Sequence, residues 1–141
     1  MFNVVLVGAD NTPTARRAVE EASQVAAMSK GALHILTAHG HSPFVESDDR
    51  HEFAHVTKDD DGSALLQELA FIAKKHGVDA VTHFVKCDAA DALLATAIEI
   101  GADLVVVGNR GMRGVKRVLG SVPNSVAHRA TCSVLIVDTI D

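Results

Sequence analysis

At 141 residues and a formal net charge of −5, the chain has the length of one domain, 1–141, with a full hydrophobic core. Its acidic balance and its lack of any Trp or Tyr argue against a nucleic-acid surface, which needs basic patches and stacking aromatics. No apolar run approaches the roughly 18 residues of a membrane-spanning helix, and Cys87 and Cys132 stand far apart in no CxxC pattern, which argues against a disulfide framework.

Met1 leads directly into an apolar run, with no basic leader region or cleavage motif, so a cytoplasmic location is expected. Asn3 to Gly8 reads as a strand. Its uninterrupted Val4-Val5-Leu6-Val7 suits a central parallel strand buried on both faces. Thr12-Pro13 opens a helix as N-cap and first helical residue. Ala15, Ala18, Val19, Ala22, Val25 and Ala26 carry its apolar face to about Lys30, and Gly31 is expected to stop it. Ala32 to Ala38 is the second strand. His39 to Asp61 shows no period and carries Pro43 and acidic clusters, so it reads as a long loop.

Leu65, Leu66, Leu69, Ile72 and Ala73 define a second helix, ended by Gly77. Ala80 to Lys86 is a third strand. Asp88 caps a third helix that holds Leu93, Leu94, Ala97 and Ile98 and ends at Gly101. Leu104 to Val107 is a fourth strand. A helix from Ser121 to about Ala130 follows, and the strand Ser133 to Asp138 closes the chain. Strands that alternate with helices imply an α/β fold: an open, parallel five-stranded sheet with helices on both faces. With right-handed crossovers, the expected strand order is 3-2-1-4-5. Ligands in such sheets bind at the carboxyl ends of the strands beside the point where the order reverses. Here that point lies between strands 1 and 4, at the loops Gly8-Ala9-Asp10 and Gly108 to Gly114.

The second of those loops has its own chemistry. Val105-Val106-Val107 runs into Gly108-Asn109-Arg110-Gly111, four basic residues follow (Arg110, Arg113, Lys116, Arg117), and Gly120-Ser121 opens a helix. Glycines allow close backbone approach to an anion. A helix N-terminus offers unbonded N–H groups and a favourable dipole. Ser121 is placed to cap that helix or to bond a phosphate oxygen. The pattern is neither a Walker A loop nor a GxGxxG fingerprint. The bland reading is a turn with a solvated basic face.

These residues resemble the ATP-binding branch of the universal stress protein family, which carries G-x2-G-x9-G-[S/T] after its fourth strand. Gly108-Asn109-Arg110-Gly111 and Gly120-Ser121 match its two ends. Val5-Leu6-Val7-Gly8-Ala9-Asp10, Val122-Pro123-Asn124-Ser125-Val126-Ala127 and Ser133-Val134-Leu135-Ile136-Val137 are similar to the family as well. Only eight residues, Met112 to Leu119, separate Gly111 from Gly120, one fewer than the pattern. The resemblance implies a Rossmann-like adenine-nucleotide module. Asp10, with Gly8 and Ala9 beside it, would lie near the adenosine, and Ala38 would pack on the adenine. Val107, Gly108, Arg110, Gly111, Gly120, Ser121 and Val122 would surround ribose and phosphates. The expected ligand is ATP, with or without Mg2+, and the expected assembly is a homodimer through the exposed C-terminal strand. No protein-bound metal is expected.

His51-Glu52-Phe53-Ala54-His55 fits the HExxH zinc-protease pattern, in which two His four residues apart on a helix share a metal. Its context does not fit: the segment is polar, lacks a helical face and offers no evident third ligand. We read these histidines, with His39 and His41, as loop residues, while His34, His76, His83 and His128 fall within or beside elements. No Ser-His-Asp grouping or nucleophile elbow is present. The expected role is a nucleotide-linked stress or signalling module. The rivals are a dimeric interaction module that binds no nucleotide, a cyclic-nucleotide binder and a slow ATP hydrolase.

Overall fold

The computed structural model describes residues 1–39, 62–109 and 120–138. The elements alternate as β1 (Val4–Gly8), α1 (Pro13–Ser29), β2 (Ala32–Ala38), α2 (Ser63–Lys75), β3 (Ala80–Val85), α3 (Ala89–Ile100), β4 (Leu104–Gly108), α4 (Ser121–Arg129) and β5 (Ser133–Val137). The five strands form one parallel sheet in the order β3-β2-β1-β4-β5, the order expected from the element sequence. The expected loop between β2 and α2 lies outside the described residues, apart from His39.

The apolar runs form the strands because both sheet faces are covered. On one face Val5, Val7, Leu33, Ile35, Leu104 and Val106 pack against Ala18, Val19 and Ala22 of α1 and Leu66, Leu69 and Ala73 of α2. On the other, Leu6, Leu36, Val105 and Val107 pack against Ala90, Leu93 and Ala97 of α3 and Val126 of α4. Val5, Leu6 and Val7 of the central strand are wholly buried. A half-polar strand could not occupy this position, since either face would put a polar side chain into hydrocarbon.

Local signals set the helix ends. The Thr12 hydroxyl accepts the Ala15 N–H at 3.2 Å, with Pro13 at the first helical position. The Asp88 carboxylate accepts the Asp91 N–H at 3.1 Å at the start of α3. One stop differs from expectation. Helix α1 ends at Ser29, and Lys30, not Gly31, takes the left-handed conformation (φ 57°) that closes it. Gly31 serves a different need: a Cβ there would lie 2.3 Å from the Phe2 carbonyl oxygen, so the glycine is required by close backbone approach. Gly8 is likewise a packing residue, since a Cβ on it would lie 2.8 Å from Leu93 Cδ1.

The amino end of the sheet is tied by Asp103. Its two carboxylate oxygens accept the N–H groups of Asn3 at 2.9 Å and Val4 at 3.0 Å, while its own N–H donates to the Val4 carbonyl at 3.0 Å. These backbone donors, Asn3 first, hold the Asp103 carboxyl below the usual carboxylate range. A depressed folded pKa means that the unfolded chain takes up the proton first as pH falls. The stability contributed by Asp103 is therefore present above the ordinary carboxylate pKa and is lost as pH drops through its lowered folded value. Asp103→Asn is expected to lower the melting temperature at neutral pH and to remove part of the acid dependence, as read from melts across the acidic range.

The Gly8–Leu93 contact makes a second measurable point. Gly8→Ala is expected to cost about 1–3 kcal/mol through overpacking. In a Leu93→Ala background the added methyl has room, so the two changes should be non-additive by about 0.5 kcal/mol or more in a denaturation cycle.

Candidate functional site

Strand β1 is two residues shorter than β2 at its carboxyl end. Pairing of β1 with β2 stops at Gly8 opposite Leu36, whereas β2 continues beside β3 to Ala38 opposite Val85. Backbone direction alternates along a parallel strand. The Leu36 carbonyl accepts the Ala9 N–H on the β1 side at 3.0 Å, and the His39 N–H donates to the Val85 carbonyl on the β3 side at 2.9 Å. Ala38 shares the parity of Leu36, so its N–H and carbonyl face the space beyond the end of β1. One donor and one acceptor from a single residue are thus presented at the floor of a cavity.

That cavity is lined by Gly8, Ala9 and Asp10 after β1, Leu36 and Ala38 on β2, Val107 and Gly108 on β4, and the first turns of α1, α3 and α4. Its volume is about 90 Å³. Pockets that enclose whole drug-sized ligands measure roughly 300–1,000 Å³, so this one has room for only a part of such a ligand. A larger hollow of about 380 Å³ shares Asp10 and Ala38 and lies toward α2. It is bordered by Glu68 and Asp10 and by no Lys or Arg among the described residues, which suits it poorly to an anion.

Three helix N-termini reach the first cavity, and they are not equivalent. The α1 terminus is occupied by the Thr12 hydroxyl, which also donates to Asp10 Oδ1 at 2.6 Å. The α3 terminus holds the Asp88 carboxylate. Helix α4 has Gly120 as its N-cap and no side-chain cap. The structure thus corrects the expectation that Ser121 is the cap: Ser121 is the first helical residue. The Asn124 N–H closes the turn on the Gly120 carbonyl at 3.1 Å, and Pro123 has no N–H. The amides of Ser121 and Val122 remain at the start of α4, with the helix dipole behind them. An anion finds its donors there and meets a carboxylate at α3.

Among the residues singled out from the sequence, the fold gathers Gly8, Ala9, Asp10, Ala38, Val107, Gly108 and Val122 on one cavity wall. Gly120 and Ser121 begin the adjoining helix. Arg110 and Gly111, with Arg113, Lys116 and Arg117, lie outside the described residues. So do His41 and the HExxH residues His51, Glu52 and His55. Sequence reasoning missed Thr14, Ala15, Leu36, Ala89, Leu93 and Pro123 as lining residues. For Ala89 a signal existed: it follows a helix cap at the carboxyl end of a strand, where ligands collect in this architecture. Leu36 and Leu93 carry none, because a core leucine and a cavity-wall leucine read alike.

Among the described residues no three His, Cys, Asp or Glu side chains come together as a metal site requires, and no helix is long and apolar enough to cross a membrane. Both cysteines are free and partly buried. Burial, with Asp103 nearby, pushes the Cys132 thiol up, away from the thiolate that nucleophilic chemistry needs.

Comparison with known proteins places this geometry in context. The model of the universal stress protein family matches residues 1–138. Universal stress protein Rv1636 of Mycobacterium tuberculosis is 34% identical, over 98% of this chain and 97% of its own. Universal stress protein YxiE of Bacillus subtilis is 31% identical, over 97% and 99%. A universal stress protein crystallised in complex with cAMP is 37% identical, superposes with a TM-score of 0.76, and is covered over 98% of its length by 99% of this chain. The chain belongs to the universal stress protein family.

Proposed function

We propose that the cavity at the end of β1 binds an adenine nucleotide, ATP with or without Mg2+, and that the protein serves as a cytoplasmic nucleotide-linked module of the stress response. One observation carries this reading. The unpaired peptide edge of Ala38 and the uncapped start of α4 open onto the same cavity. The first supplies a donor beside an acceptor, which complements the N1 acceptor and N6 donor of adenine. The second supplies amides and a dipole for phosphate. Asp10 stands between them, where a carboxylate can accept a ribose hydroxyl. Gly108, Arg110, Gly111, Gly120, Ser121 and Val122 are the proposed phosphate cradle.

The cavity offers binding groups and few catalytic ones. Fast phosphoryl transfer needs a positioned base or water-orienting group together with metal charge. Among the described residues Asp10 is the single carboxylate on the wall, and its oxygen already accepts the Thr12 hydroxyl. Slow ATP hydrolysis remains a separate reading, tested by phosphate release at saturating ATP. A cyclic nucleotide is the second reading for the ligand, favoured by the cAMP complex of the 37% identical relative. Cyclic AMP carries the same base with one phosphate.

Calorimetry with ATP, AMP, cyclic AMP and GTP separates these readings. ATP is expected to bind more tightly than GTP by about 1–3 kcal/mol, because guanine reverses donor and acceptor at the Ala38 edge and leaves a buried polar group unmatched. Ser121→Ala should weaken ATP by about 0.5–1.5 kcal/mol if its hydroxyl bonds a phosphate oxygen. Equal affinity for ATP and GTP, or no binding of any adenine nucleotide at millimolar concentration, would reject the assignment.

The proposed homodimer uses β5, the outer strand next to β4. Its Val134, Leu135 and Ile136 are only partly buried. The Val137 carbonyl accepts the Asn109 N–H of the β4 side at 2.9 Å. By alternation Ser133 and Leu135 also face β4, while Val134 and Ile136 turn their N–H groups outward. Ile136→Pro is therefore the informative change, since it removes an outward donor, whereas a proline at Leu135 would break the β4 ladder itself. Ile136→Pro is expected to give a folded monomer by light scattering at micromolar concentration. A monomeric mass for the unmodified protein would count against the dimer.

A further inference from the structure

Strand β3 is the outer strand on the other side of the sheet. On the α3 face it carries Val81, His83 and Val85. Helix α3 packs over β1 and β2, and Val81 remains 50% exposed, so this face of β3 is incompletely covered. His34 of β2 shares the parity of Leu36, which is paired with His83. Both imidazoles therefore stand on this face, side by side across the outermost strand pair.

Their geometry is specific. His34 Nδ1 and His83 Nε2 are 2.9 Å apart. The ring centres are 5.1 Å apart, and the planes differ by 19°. That separation equals the N···N distance plus one ring radius at each end. The two nitrogens thus face one another between the rings, whose planes are nearly parallel. This is an N–H···N hydrogen bond. Among the described residues each ring has the other as its hydrogen-bond partner.

We propose that His34 and His83 form a proton-operated clasp on the outer strand β3, one that survives the first added proton and opens with the second. The proton count follows from the bond. In the neutral pair one bridging nitrogen donates and the other accepts. The outer nitrogen of the acceptor ring carries that ring's own proton, and the outer nitrogen of the donor ring is bare. The first added proton goes to that bare nitrogen. The donor ring becomes a cation, and its bond to the neutral ring is charge-assisted. A second proton can go only onto the accepting nitrogen. Two N–H groups then face one another, two like charges meet, and the clasp has no bond left.

Among the described residues the surroundings do not rescue the doubly charged pair. The charged side chains of α3, the helix on this face, are Asp91 and Glu99. Both are exposed, and Asp91 is engaged by Arg129 at 2.9 Å. On the strands the same face presents Leu6, Leu36, Val81 and Val85, none of them charged. At the sheet's amino end, Asp103 is bonded to the Asn3 and Val4 amides. Burial first, and His83 second, lower the pKa of His34. A lowered folded pKa places the stabilisation that His34 contributes above the ordinary histidine pKa of about 6.5, with loss as pH falls through its lowered folded value. Titration belongs to the pair, in two steps, and not to either ring alone.

Ring nitrogen NMR on the full chain, from about pH 8 to about pH 4.5, reads the proton count directly. Two coupled steps are expected, with the bridging hydrogen bond present through the first and lost in the second. Amide exchange, corrected for intrinsic rate, reads the strand. Between the ordinary histidine pKa of about 6.5 and the second step, opening of Ala80–Val85 should accelerate by up to about tenfold per pH unit relative to Val4–Gly8, since there the open strand binds one more proton than the clasped one, and the acceleration should level off below the second step. His83→Gln keeps an acceptor for the His34 N–H and cannot charge, so it should abolish that acceleration; His34→Gln is the reciprocal variant. Two independent, ordinary histidine titrations in the unmodified protein would overturn the proposal, whatever the variants do. So would an acid acceleration of β3 exchange that persists in His83→Gln.

Discussion

The constraint on which the rest of the molecule depends is the burial of β1 on both faces and both edges. It pairs with β2 on one side and β4 on the other, and Val5, Leu6 and Val7 are excluded from water. A strand so placed must satisfy every backbone group in the ladder. Where it stops, its neighbours are left with unpaired peptide edges. Because β1 ends at Gly8 while β2 continues to Ala38, the sheet opens at its centre. The cavity is thus the direct outcome of a central strand that stops before its longer neighbour β2.

The parallel arrangement supplies the remaining wall. Every strand in such a sheet leaves at the same end, so the helices that follow begin there. Three of them, α1, α3 and α4, bring their N-termini to one cavity. Their caps then differentiate them. A hydroxyl fills the first, a carboxylate fills the second, and glycine leaves the third open. For the anion in the proposed function, the cap, absent from one helix alone of the three, would select the position. The dipoles of all three point the same way and do not decide it.

The two outer strands meet their exposure differently. β5 turns the N–H groups of Val134 and Ile136 to one side of the sheet, in a short apolar run. β3 sits at the opposite side and is fastened to β2 by a side-chain bond between imidazoles as well as by its ladder. The ladder is insensitive to pH in the range where histidine titrates, and the imidazole bond is not. The same sheet thus has one border with an apolar run and one with a titratable tie.

Much of this was legible before any coordinates. The continuous Val-rich runs, the Thr12-Pro13 and Asp88 helix starts and the glycine stops determined the element order, and right-handed crossovers then left few strand orders. Gly8, Ala9, Asp10, Ala38, Val107 and Gly108 could be placed near one another because all stand at the carboxyl ends of strands. Other features depended on contacts across the chain. The role of Gly31 is set by the Phe2 carbonyl and that of Gly8 by Leu93, neither of which is near in sequence. The helix cap at Gly120, and not at Ser121, follows from backbone torsions that a Gly-Ser pair leaves open. His34 and His83, 49 residues apart, carry no spacing that announces a bond. Periodicity reports which face a residue takes, since that is a property of the local chain. Which two residues meet across strands, and how far β1 runs beside β2, is decided by register, and register exists only once the sheet has formed.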